Sequence, residues 1–153
     1  MSNNDVLRSL YFIFNLNEES LIKIFSLADR VISGDKICSW LKSEEDPEFI
    51  SCSDEEILSC LDGLIYENRG KKEGVAPQRN QQLTNNLILK KVKIALSLKN
   101  EEVLSIFESV DIEMKEYEIN AFFRKQDHKN YRKCKDKLLR NFLKGLQDKY
   151  YKA

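Results

Sequence analysis

Lys133, Lys137, Arg140 and Lys144 follow one another at steps of four, three and four, a spacing that brings four cations to one face of an α-helix. Leu139, Leu143 and Leu146 fall on the opposite face. The preceding stretch adds Arg124, Lys125, His128, Lys129 and Arg132, with Tyr131 available for stacking. Such a set can neutralise the phosphates of nucleic acid or meet an acidic protein surface. The plain alternative is a solvated helix face.

His128 is the sole histidine and stands beside Asp127, Lys129 and Tyr131, so it could serve as a general base in a cleft between two lobes. Adjacent side chains in a loop usually point apart, however, and no nucleophile lies at a recognisable spacing. A small enzyme centred on His128 is therefore an alternative, and the expectation is a non-enzymatic protein with no catalytic residues. Cys38, Cys52, Cys60 and Cys134 lack a C-x-x-C spacing and sit among apolar neighbours, where free cysteine behaves as a small hydrophobe. Cys52 and Cys134 each precede a predicted helix, and the aromatic neighbours Phe49 and Tyr131 favour their burial. A zinc site needs about four ligands, and the carboxylates Glu44, Glu45, Asp46, Glu48, Asp54, Glu55 and Glu56 lack the glycine-containing loop of an EF-hand. No metal and no cofactor is expected, and the acidic run reads as a solvated face.

The elements that must carry these residues are written twice. Residues 3–64 align with 85–146 at a constant offset of 82, pairing Asn3 with Asn85, Asn4 with Asn86, Phe25 with Phe107, Cys52 with Cys134 and Gly63 with Gly145. Trp40 matches Phe122, and Phe49 matches Tyr131. The copies differ in charge: residues 1–70 hold 6 basic and 14 acidic side chains, and residues 71–153 hold 19 and 11. A net charge of zero thus conceals a strong polarity. Glu55 and Asp62 occupy the positions of Lys137 and Lys144, so one lobe can complement the other, within a chain or across a homodimer.

Apolar residues in each copy recur three and four apart and rarely alternate, which predicts four helices per copy and no strand. The stripes are Leu21, Ile24, Phe25 and Ala28 with Val103, Ile106, Phe107 and Val110, then Ile37 and Trp40 with Ile119 and Phe122. The first helices, around Val6–Phe14 and Ile88–Leu96, are apolar on most sides and are expected to be central. Asn4 and Asn86 are read as caps of those first helices, Asn17 and Ser33 as caps of the next two, and Ser53 with Glu56 as a capping box. Gly63 and Gly145 lie inside leucine-rich helical stretches, where glycine costs about 1 kcal/mol relative to alanine, and so predict close helix crossings. The expected organisation is an acidic repeat over 1–68, a polar linker over 69–84 and a basic repeat over 85–153. The longest apolar run, Leu10 to Phe14, is far shorter than a membrane span. With no basic-then-apolar leader, a cytoplasmic protein that contacts no membrane is the expectation.

The runs Asn4-Asp5-Val6-Leu7-Arg8-Ser9, Gly63-Leu64-Ile65-Tyr66-Glu67 and Asp127-His128-Lys129-Asn130-Tyr131-Arg132-Lys133-Cys134 resemble the YehS-like family of bacterial proteins, as do Asn85-Asn86 followed by Leu89-Lys90-Lys91 and the run Leu139-Arg140-Asn141-Phe142-Leu143. The resemblance covers nearly the whole chain and implies a small duplicated protein with no established activity, so it supplies no site residues. The reading is an all-α protein of two tandem four-helix repeats with approximate two-fold pseudosymmetry. Its basic second lobe is expected to meet an anionic partner, nucleic acid or an acidic protein, and self-association by acidic-to-basic lobe pairing is the alternative.

Overall fold

A computed structural model of the chain describes residues 1–70 and 81–152. Most of the 69–84 stretch read as a linker, residues 71–80, lies outside the described residues. Eight helices are present among the described residues and no strand: α1 (Asn3–Ile13), α2 (Glu18–Leu27), α3 (Gly34–Leu41), α4 (Asp54–Arg69), α5 (Asn85–Ala95), α6 (Asn100–Ser109), α7 (Glu116–Phe122) and α8 (Asp136–Tyr150). Every helix of the second repeat starts 82 residues after its counterpart in the first. Even the left-handed residues in the loops keep this register: Asn15 and Asp29 have φ of 52° and 60°, Ser97 and Asp111 of 54° and 62°.

The start of the first helix in each repeat differs from the sequence reading. Asn4 and Asn86 are not caps; Ser2 accepts the Asp5 amide at 3.1 Å, and Thr84 accepts that of Leu87 at 3.1 Å. The asparagines lie inside the first turn, buried, and act as clamps. The Asn4 amide donates to the carbonyls of Trp40 and Ile50, both at 2.9 Å, and its oxygen accepts the Cys52 N–H at 2.9 Å. Asn86 repeats the pattern on Phe122, Arg132 and Cys134 at 3.0, 2.8 and 2.8 Å. Each clamp ties the end of the third helix to the irregular segment leading into the fourth, satisfying buried backbone groups that no helix ladder reaches.

The lobes share one core. Within a repeat, α2 packs on α4 and α6 on α8; between repeats, α4 packs along α5 and α1 along α8. The first and fourth helices of both copies thus surround the pseudo-two-fold axis, which is why α1 and α5 are apolar on most sides. Lys91 of α5, 9% exposed, donates to Asp62 of α4 across this junction. The two ends of the junction are tied through the equivalent residues Ser97 and Asn15: Arg69 donates to Ser97 at 3.0 Å, and Asn15 donates to the Tyr150 carbonyl at 2.9 Å. Among the described residues, no helix is long and apolar enough to cross a membrane.

Candidate anionic-partner face of the second repeat

The sequence-predicted cations lie on two consecutive pieces of the second repeat. Arg124, Lys125, His128, Lys129, Arg132 and Lys133 ride on the connection from α7 to α8, and Lys137, Arg140 and Lys144 on α8, all of them exposed. Helix α8 buries Leu139, Phe142, Leu143, Gly145 and Leu146, which leaves Lys137, Arg140 and Lys144 on the outward face; Lys133, expected as the first of that row, falls outside it because the helix starts at Asp136. Arg124, Lys125, Lys129, Lys133, Lys137, Arg140 and Lys144 form no ion pair among the described residues. Arg132 is set apart: it pairs with Glu118 at 3.2 Å, and its guanidinium lies 5.2 Å from the centre of the Phe122 ring. Tyr131, expected as a stacking platform, is half-buried.

The first repeat keeps its charges paired at the corresponding places. Lys42, the counterpart of Arg124, pairs with Glu48. Asp62, the counterpart of Lys144, holds Lys91, and Glu55, the counterpart of Lys137, lies 3.8 Å from Arg30. The acidic run is likewise engaged in the fold. Asp54 accepts from Asn3 at 2.7 Å, and Glu56 accepts the Ser53 N–H at 2.9 Å while its second oxygen meets Lys36 at 2.7 Å. Burial raises the Glu56 pKa, but the Lys36 and Ser53 contacts outweigh it and hold the carboxyl below the usual range. Among the described residues, no three His, Cys, Asp or Glu side chains gather as a metal would require.

Three further cations sit where they weaken the helices they begin. Asn17, Ser33 and Ser53 cap α2, α3 and α4 with side-chain bonds of 2.8, 3.2 and 3.1 Å. The equivalent residues of the second repeat are Lys99, Lys115 and Lys135, none of which caps with its side chain. An ammonium cannot accept an amide hydrogen, and it faces the positive end of the helix dipole. Lys99 and Lys115 are relieved in part because their N–H groups donate to Glu102 and Glu118 at 3.0 and 3.2 Å. Lys135 has Leu138 in that position and no such relief. Restoring the serine of the first repeat by Lys135→Ser should stabilise the chain by about 1 kcal/mol, read in urea unfolding; no gain would mean the first-turn amides of α8 are already satisfied. These lysines escaped a search for charge runs, and only a comparison of cap positions across the offset exposes them.

His128 forms the turn between α7 and α8. Its Nδ1 accepts the Asn130 N–H at 3.0 Å, and its carbonyl accepts the Tyr131 N–H at 2.9 Å. Asp46, 82 residues earlier, does the same, accepting Glu48 N–H on its carboxylate at 2.9 Å and Phe49 N–H on its carbonyl at 3.0 Å. A carboxylate and an imidazole thus fill one structural role. The connection carrying His128 is exposed, whereas the lobes meet along α1, α4, α5 and α8. His128→Asp should leave stability unchanged while His128→Ala loses about 1 kcal/mol, measured by thermal unfolding; equal loss in both would contradict the turn-forming role.

Cys52 and Cys134 are buried, as expected from their place before the fourth helices, and burial pushes their thiols up to about 12 and about 11. The Cys60 thiol is raised by burial as well. Protonated thiols of this kind are poor nucleophiles. Cys38 departs from the apolar setting expected of it: it is exposed, with its thiol 3.6 Å from a Glu18 carboxylate oxygen.

A duplicated helical unit with a clamp asparagine, a corner cysteine and a crossing glycine in each copy defines a tandem-repeat helical protein. The chain belongs to the family described as protein of unknown function (DUF1456), whose model matches residues 3–70 and 85–151. It is also similar to the uncharacterized protein YehS of Escherichia coli (strain K12), with 40% identity over 147 residues covering 95% of this chain and 94% of that protein. No solved structure matches the chain.

Proposed function

We propose that the protein is a binding module whose second repeat, residues 85–153, receives nucleic acid along the exposed cations of the α7–α8 connection and α8. The observation that carries this reading is the contrast in pairing: Arg124, Lys137 and Lys144 stand without acid partners among the described residues, while Lys42, Glu55 and Asp62 at the matching places of the first repeat are paired. Lysines at three helix starts add to it, because a residue type that weakens a helix stands there in place of a cap. Three and four residues of helix rise about 4.5 and about 6 Å, so Lys137, Arg140 and Lys144 on α8 repeat at short, regular intervals. A regular row suits a polymer of evenly spaced phosphates, contacted without sequence reading.

Self-association through acidic-to-basic pairing has less to draw on, because Glu55 and Asp62, the acids it would use, already face Arg30 and Lys91. Four free thiols suit a reducing compartment, and the cytoplasm is the proposed location. The test is fluorescence anisotropy with a labelled single-stranded oligonucleotide at several salt concentrations. Affinity should fall linearly in log–log form with a slope of several units. Absence of binding in dilute buffer would refute the proposal, and binding instead to a polyglutamate peptide with a similar slope would move it to an acidic protein.

A further inference from the structure

Beside the cationic row, Tyr117, Glu118, Ala121, Arg124, Asn130 and Arg132 line an open depression of about 500 Å³ between α7 and the connection to α8. The same six positions in the first repeat hold Asp35, Lys36, Ser39, Lys42, Glu48 and Ile50. There Lys42 donates to Glu48 and forms an ion pair with it. In the second repeat the cation persists as Arg124, but its carboxylate partner has become Asn130, an amide. Asp35 has become Tyr117, which is 69% exposed, and Ile50 has become Arg132. The first repeat has two acids and two bases at these positions; the second has two guanidinium groups and a single acid, Glu118, which is bound to Arg132 at 3.2 Å. The internal acid that neutralises the site in one copy is missing from the other.

We infer that this depression is a seat for a nucleoside phosphate, an inference that rests on reading the second repeat as a nucleic-acid face and adds a defined pocket to it. The unpaired Arg124 fork matches two phosphate oxygens in a way a lysine cannot. Arg132, tethered by Glu118 and lying over Phe122, adds fixed positive charge, and the Asn130 amide supplies neutral donors where a carboxylate would repel. Tyr117 offers a ring face on which a base stacks, a contact that tolerates any base. His128 positions Asn130 by accepting its N–H. The size of the depression suits a mononucleotide or one residue of a strand.

The test titrates the isotope-labelled full chain with adenosine monophosphate, adenosine and an oligothymidylate, following backbone amide shifts. Adenosine monophosphate should move the amides of Tyr117, Ala121 and Asn130, adenosine should not, and both Arg124→Ala and Asn130→Glu should weaken the response at least tenfold. Asn130→Glu restores the acid of the first repeat, which folds there. If the same two variants also weaken the oligothymidylate at least tenfold, the seat takes a strand phosphate; if the oligothymidylate is indifferent to them, it takes a free nucleotide. Pocket amides that stay still, or that move equally in Asn130→Glu, overturn the inference. In that event, oligothymidylate binding that still depends on Lys137, Arg140 and Lys144 leaves the broader reading intact, and its absence removes both.

Discussion

Gly63→Ala should destabilise the chain by about 3 kcal/mol or more, while Gly145→Ala at the matching position should cost about 1 kcal/mol. A methyl group on Gly63 would stand 2.1 Å from the Ile24 carbonyl oxygen and 2.7 Å from Ile24 Cγ2, so the backbones of α2 and α4 must part. On Gly145 the nearest atoms are Ile106 Cγ2 at 2.9 Å and the Ile106 carbonyl at 3.1 Å, a conflict that a shift of a few tenths of an ångström relieves. Alanine would gain about 1 kcal/mol of helix propensity at either place, which overpacking of about 1–3 kcal/mol or more offsets. The asymmetry is the informative part. Helices α4 and α8 each carry a junction to the other lobe, so the difference rests on the closeness of the two crossings alone. Urea unfolding of both variants checks this, and equal losses would mean the two crossings are equally close.

Replacing Lys137, Arg140 and Lys144 together by glutamate should lower oligonucleotide affinity at least a hundredfold in dilute buffer, without loss of stability. Each side chain is exposed on α8 and forms no ion pair among the described residues, so the exchange breaks no ion pair of the fold. Removing about three phosphate contacts to a single strand takes about two units from the salt slope, and the introduced carboxylates repel the strand in addition. The matched control is the first repeat. Exchanging Glu44, Glu45 and Glu48 for glutamine should leave binding unchanged, because these acids stand on the connection from α3 to α4 of the other repeat. Anisotropy titrations of the three proteins at one salt concentration decide it.

The repeat and its helices were legible because apolar periodicity and the 82-residue register are local properties of the chain: every helix start falls where that register puts it. Asn17, Ser33 and Ser53 cap as their types and positions imply. Asn4 and Asn86 misled for a physical reason. An asparagine near a helix start is a good cap, but here Ser2 and Thr84 stand two residues earlier, and the asparagines serve distant carbonyls that no local pattern reveals. The packing of α4 on α5 and α1 on α8 was likewise invisible, since it depends on how two apolar surfaces meet. For the candidate face, the row on α8 follows from spacing alone. The depression around Arg124 does not, because its meaning lies in one exchange, Glu48 for Asn130, whose weight is apparent only once Lys42 is seen to pair with Glu48. Tyr117 lies outside every charge run, which hides it from a reading by charge, whereas Tyr131 lies within one and is half-buried.

The most direct test of a second repeat specialised for phosphates is the salt dependence of oligonucleotide binding, measured on the wild-type chain and on the Lys137→Glu, Arg140→Glu, Lys144→Glu variant in parallel. A steep slope for the wild type and one shallower by about two units for the variant is the predicted result. Two superimposable lines, or no binding by the wild type at the lowest salt, would contradict it.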